Sequence, residues 1–247
     1  VAIYGGTFVG FDPNVSPEKK DENGNVPSFA APGVGIEKNT DGTFTAKAGM
    51  VAQVLDADGN SVKAYDSLAE AITAAEAGQT VRLLADAKED VTINKNITLD
   101  LGGKMLTNTG AGKATITIAN GATATVKNGS VVGGTSYYNI QNNGTATFEG
   151  LTATAGNNGS SMIDNYGTLT ITSGTYTGGL NVVKSEEDST LVINGGTFTL
   201  DYATSGYTGV ILVYGDTTIT GGEFIQSLTT TGRWNHPQVI ATGVVEG

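Results

Sequence analysis

Side chains able to do chemistry are few in this sequence. It has two arginines, Arg82 and Arg233, one histidine, His236, one tryptophan, Trp234, and no cysteine. Three of these fall together in residues 229–238, TTTGRWNHPQ. An exposed aromatic ring beside a guanidinium can stack on a sugar or anchor a partner protein. Arg233, Trp234 and His236 are therefore candidate ligand-binding residues. The competing expectation is that Trp234 folds back over the core. His236 has no second histidine with which to share a metal. The adjacent Tyr137 and Tyr138, and the pair Tyr202 and Tyr207, are further aromatic candidates, with one ring of each pair expected to pack inward.

Acid–base work on a glycosidic bond needs two carboxyl groups facing one gap. Asp100 and Asp164 are expected to share a face. Their neighbour in the same file, Gln141, is uncharged, so no ladder of three carboxylates results and no catalytic residue is assigned. Asp56 and Asp58 in DADGNS resemble part of a calcium loop but lack the downstream bidentate glutamate. A hairpin turn is the expected role there, and DENGN at 21–25 is read in the same way. No cofactor and no metal site are expected.

The elements that must carry these residues follow from a repeat. The hexapeptides VKNGSV (126–131), ITSGTY (171–176), INGGTF (193–198), ITGGEF (219–224) and IYGGTF (3–8) share one pattern. An apolar residue comes first, glycine fourth, and an aromatic residue or valine sixth. Phe148 opens a looser copy, and LGGKML (101–106) supplies another. Leu101, Val126, Phe148, Ile171, Ile193 and Ile219 follow one another at steps of 25, 22, 23, 22 and 26 residues. A second series of short apolar strands lies between these copies, in ITIANG, NIQNNG, MIDNYG, NVVKS, VILVYG and QVIATG. Short strands with glycine and asparagine turns at this period suit the coils of a parallel β-helix better than a meander of hairpins.

The expected fold is thus all-β: a right-handed parallel β-helix of about 22–26 residues per coil. Ile171, Ile193 and Ile219 should stack in an inward file, and threonines should face out, where β-branching favours strands. The fourth-place glycine allows a corner with φ above zero. Asn120, Asn142 and Asn165, each two residues after a strand isoleucine, are expected to form an asparagine ladder.

Before the repeat, SLAEAITAAEAG (67–78) is the one strong helix signal. Ser67 and Glu70 spell a capping box, Leu68, Ala71, Ile72 and Ala75 share a face, and Gly78 suits the C′ position. A helix over 67–77 is expected to cover the N-terminal end of the solenoid, whose open strand edges need a lid. Two hairpins turn at the Asp-Gly pairs of GVGIEKNTDGTFTAKAG and MVAQVLDADGNSVKAY. The expected division is 1–9 as the last rung of a preceding β-helix or a stacking segment, 10–62 as a loop and hairpin linker, and 63–247 as the β-helix. The last strand has no cap of its own, and IYGGTF from another copy would continue its register. One module of a tandem protein, or a unit stacking head to tail, is expected.

Composition excludes several functions. The net charge of −11 argues against nucleic acid and against anionic membrane surfaces. No apolar run is long enough to span a bilayer. Absence of cysteine removes disulfides and thiolate metal sites.

The segment AYDSLAEAITAAEAGQTVRLLAD…VTINKNITLDLGGKMLT resembles the start of pectate-lyase-like β-helix domains in large surface proteins of Gram-positive, often gut-dwelling, bacteria. GGTF…FDPN followed by DGTFTAKAG resembles the tail that ends one such domain. The resemblance covers nearly the whole chain and implies a secreted or wall-displayed, adhesin-like protein that contacts a glycan or host surface protein. Two alternatives remain open: a carbohydrate-binding or carbohydrate-active domain, and, through a weaker resemblance, a phage fibre or head-decoration protein on a virion.

Overall fold

Parallel strands, most of them three to five residues long, wind into a β-solenoid of about six turns. The computed structural model describes residues 1–15, 28–201 and 209–226, together with the backbone of the strand Gln238–Thr242. Each coil contributes a strand to each of three faces. In one coil these are Ile140–Asn142 on the first face and, on the second and third, the two halves of Thr145–Thr154. The first face is a 7-stranded sheet. The other two are counted as one 14-stranded sheet, because long strands run through the corner between them.

That corner is a matter of local conformation. Asn128 and Gly150 turn it with φ of 59° each. In the next three coils the turn moves to the fourth place of the hexapeptide, where Gly174, Gly196 and Gly222 have φ of 129°, 108° and 118°. An L side chain rarely adopts these values, so the glycine of the repeat has a backbone reason.

The interior consists of vertical files. On the second face Val81, Leu99, Val126, Phe148, Ile171, Ile193 and Ile219 lie in register. On the third, Leu106, Val131, Ala153, Tyr176, Phe198 and Phe224 do so. The last three rings of that file stack with centroids 5.0 and 5.2 Å apart, the spacing of adjacent parallel strands. On the first face Val91, Ile116, Ile140, Ile163, Val183 and Ile211 form the file. The expected stack of Ile171, Ile193 and Ile219 is present.

Two residues expected in files are not there. Val126 pairs with Leu99, not Leu101. The corner of that coil holds two left-handed glycines, Gly102 and Gly103, with φ of 57° and 74°. They lengthen it by two residues, so the hexapeptide spacing points to the wrong leucine. Asn142 stacks on Asn165, donating to its Oδ1 at 2.7 Å, and Asn165 donates to the Ser185 hydroxyl at 3.2 Å. On its other side Asn142 pairs with Ile118, and Asn120 is exposed in the turn beyond. Here too the turn is two residues longer than in the neighbouring coils. The ladder therefore runs Asn142, Asn165, Ser185.

The helix spans Leu68–Ala74 and buries Leu68, Ala71 and Ile72 against the strands of the first coil. Ser67 accepts from the Glu70 amide at 3.3 Å, which is half of the capping box. Other donors of the first turn are satisfied from a distance: the Glu89 carboxylate accepts from Ser67 Oγ, Leu68 N and Ala69 N. A carboxylate is well placed at the positive end of the helix dipole. At the opposite end Lys95 donates to the Thr73 and Ala75 carbonyls. The helix stops before the expected residue 77 because Ala75 is extended, and Gly78 turns the chain only afterwards.

Ahead of the helix, Val34–Lys38 with Phe44–Ala48, and Ala52–Leu55 with Ser61–Tyr65, form antiparallel hairpins at the two Asp-Gly turns. Gly6–Phe8 pairs antiparallel with 44–46 as the edge of a 3-stranded sheet. No helix among the described residues is long and apolar enough to cross a membrane.

Candidate functional site

Side chains alternate along a strand, so on the first face the residues between the inward ones make outward files. One file runs Thr92, Thr117, Gln141, Asp164, Lys184, Leu212. Two residues further along the strands lie Asn143, Tyr166, Glu186 and Tyr214, whose backbones continue the same register. Asp164 stands at the centre of this array.

Asp164 points outward yet is fully buried. Neither of its carboxylate oxygens closes a hydrogen bond of good geometry, although the Glu186 and Gln141 side chains stand close enough to influence its proton. Burial is the main reason its carboxyl is pushed up to about 6, and the nearby Glu186 carboxylate adds to it, with Lys184 opposing. The Lys184 ammonium bonds to Glu186 and lies 5.5 Å from the centre of the Tyr214 ring. Desolvation works against the Lys184 charge, but the hydrogen bond and charge of Glu186 outweigh it, and its pKa is raised. Two phenols complete the surroundings. Tyr138 is pushed up to about 12, first by burial and then by Asp164. Tyr166 is also raised, with the Asp164 charge as the first cause.

Tyr137 and Tyr138 precede the strand Ile140–Asn142 and meet edge to face, with centroids 4.8 Å apart. Both are half-buried, so neither is the inward ring the sequence suggested. Tyr166 is 48% exposed and forms one wall of a groove of 330 Å³. Asn120, Asn143, Thr123, Thr145 and Thr168 line the rest, from three successive turns. One side of Tyr166 thus faces a polar groove and the other the buried carboxylate. The array offers a buried carboxyl whose protonated form is favoured by its surroundings, a second carboxylate held by an ammonium, and phenol faces able to stack on a ring. Those are groups for acid–base work or for holding a polyhydroxylated ligand.

Asp100 lies elsewhere. It is on the second face, in the strand Ile97–Asp100, and Asp164 is on the first. The two share no face, because the residues between their strands carry the chain around a corner. Asp100 accepts from Arg82 Nε at 3.2 Å, from the Gly102 amide at 3.0 Å and from Asn128 at 3.3 Å. Its role is to clasp the long corner. Asp56 accepts from the amides of Asp58 and Asn60 and from the Asn60 side chain, which fastens a hairpin turn. Its carboxyl is lowered: burial acts against this, and the bonds from Asn60 and Asp58 outweigh it. Among the described residues no three acidic or histidine side chains group as a metal site. Arg233, Trp234 and His236, with Tyr202, Tyr207 and 21–25, lie outside the described residues.

Sequence reasoning passed over Lys184, Glu186, Tyr166 and Tyr214. The signal was present, since aligning NIQNNG, MIDNYG and NVVKS places Gln141, Asp164 and Lys184 in one file. What it lacked was the step to the next outward position, where Tyr166 and Glu186 stand.

The fold makes this a parallel β-solenoid protein. Comparison with family models, with curated proteins and with solved structures finds no match.

Proposed function

We propose that this chain is a non-enzymatic structural and adhesive module of a secreted or cell-surface bacterial protein. It serves as a stiff stalk whose side faces contact a glycan or a host surface protein. The supporting observation is the unbroken run of inward files from Val81 to Ile219 on one face and from Leu106 to Phe224 on another. Such a stack is stabilised rung on rung, and it leaves threonines, asparagines and tyrosines free on the outside. The likeness of 64–107 to pectate-lyase-like domains of bacterial surface proteins supports the same reading. It is tested by applying the purified chain to a glycan array and to host cells, alongside a panel of polysaccharides assayed for reducing ends and unsaturated products. Binding without product is expected. Product release would overturn the non-enzymatic part.

A second reading has one observation in its favour, the unpartnered Asp164 beside Glu186. In a carbohydrate-active domain Asp164 would hold the transferable proton and Glu186 the negative charge. Polysaccharide cleavage abolished by both Asp164→Asn and Glu186→Gln, in variants that still fold, would establish it. Silence of the wild-type chain on the panel would remove it.

A further inference from the structure

The hexapeptide IYGGTF occurs outside the solenoid but has a coil's local shape. Gly6, at its fourth place, has φ of 116°, against 108° at Gly196 and 118° at Gly222. A Cβ on Gly6 would lie 3.5 Å from the Phe8 ring. At Gly196 and Gly222 the distances to Phe198 and Phe224 are 3.4 and 3.3 Å. The ring turns back over the glycine in all three. No parallel coil lies on Gly6, which pairs instead with Ala46 of an antiparallel strand, so the bend recurs outside the solenoid.

Two of the sheet edges among the described residues match each other. The strand Gly6–Phe8 is the border of its sheet, paired on one side only. The strands Asp216–Ile219 and Glu223–Gln226 are the last of their faces. At that end Ile219 and Phe224 are only half-buried, although every earlier member of their files is buried. Phe224 stacks on Phe198 with one face, and the buried Gln226 Nε2 has no partner. The incoming segment suits such a seat, since residues 1–9 carry no ionised side chain in a chain of net charge −11. Ile3 and Phe8 already pack against a small cluster of Ala31, Val34, Ile36 and Ala46. That cluster would close over the files it joins.

We infer that residues 3–8 of one copy of this chain add to the last coil of a second copy as a further parallel rung. Ile3 continues the file that ends at Ile219, Gly6 lies over Gly222, and Phe8 extends the ring stack beyond Phe224. Copies then associate head to tail into a longer rod, each capping its neighbour. The mode is strand addition at an open edge. It is heterologous and does not close, so it grows.

The register gives the test. Thr7 lies over Glu223, and the chain has no native cysteine. In the double variant Thr7→Cys with Glu223→Cys, mild oxidation should give a ladder of disulfide-linked multimers on a non-reducing gel. A pair two residues out of register, Val9→Cys with Glu223→Cys, should give at least tenfold less. Equal yields from both pairs, or no multimer from either, would overturn the inference. So would dimers of Thr7→Cys alone, which would mean that two N-terminal edges meet each other. Independently, Phe8→Asp and Phe224→Asp each break one end. Each should sediment as a monomer, and their mixture should give a dimer that does not grow. A mixture that stays monomeric contradicts the inference. If either variant fails to fold, the cysteine pairs still decide.

Discussion

Asp100 and Asp164 are both aspartates on short solenoid strands between buried neighbours, and their surroundings differ completely. Asp100 has three donors, including a guanidinium, and fastens a corner. Asp164 is buried more deeply and has none. A buried carboxylate is tolerable when its charge is hydrogen-bonded and costly when it is not. The first arrangement contributes stability, whereas the second is maintained at a cost, as is common where a site has a task beyond folding. The contrast marks the first face, rather than the second, as the one to probe for ligand.

The sharpest break of this contrast is Asp100→Ala. It removes the acceptor shared by the Arg82 guanidinium, the Gly102 amide and Asn128; charged hydrogen bonds are worth about 1.5–3 kcal/mol each, and the exposed Arg82 and Asn128 side chains recover part of the loss from water. A net loss of about 3 kcal/mol is expected, read from urea denaturation at neutral pH.

Next comes Lys184→Ala. It leaves Asp164 and Glu186 as facing carboxylates without their ammonium. Breaking a fully buried pair costs about 3–5 kcal/mol. Lys184 is 26% exposed, so about 2 kcal/mol is expected at pH 7. The loss should shrink at pH 5, where Asp164 holds its proton.

Asp164→Asn should move stability the opposite way from Asp100→Ala. The folded carboxyl of Asp164 is raised from 3.8 to about 6. Its protonation therefore favours the folded state, a contribution complete below about pH 4 and lost as pH rises through about 6. Wild type and variant should melt together at pH 4. At pH 8 the variant should be more stable by about 1–2 kcal/mol after allowance for screening. That corresponds to a rise in Tm of a few degrees for a chain of this size. Equal melting at both pH values would show that Asp164 is solvated after all.

The smallest effect separates the two phenols. Tyr166 is raised first by the Asp164 charge and Tyr138 first by burial. In Asp164→Asn the Tyr166 ring should titrate earlier by NMR, while Tyr138 should change less and still ionise late. Matching shifts would place both rings equally close to the carboxylate.

Much of the fold was legible in the sequence because it is repetitive and local. Ile171, Ile193 and Ile219 could be stacked from spacing alone, and the fourth-place glycines marked corners because few other residues take such φ values. The site was less legible. Gln141 and Asp164 could be set in one file, but the environment of Asp164 depends on Glu186 from the next coil and Tyr138 from the previous one, and spacing says nothing about how their side chains converge.

What the sequence by itself determined was the rung: its apolar phase, its glycine bend, the ring folded over that glycine, and the two hairpin turns. IYGGTF keeps that shape in an antiparallel sheet outside the solenoid, since steric limits on φ act within a few residues. Tertiary structure decided the register between rungs and the partners of each outward residue. Two extra residues at a corner move Leu101 and Asn120 out of the files that counting assigns them: Leu101 is buried in the core outside the file, and Asn120 is left exposed in the turn.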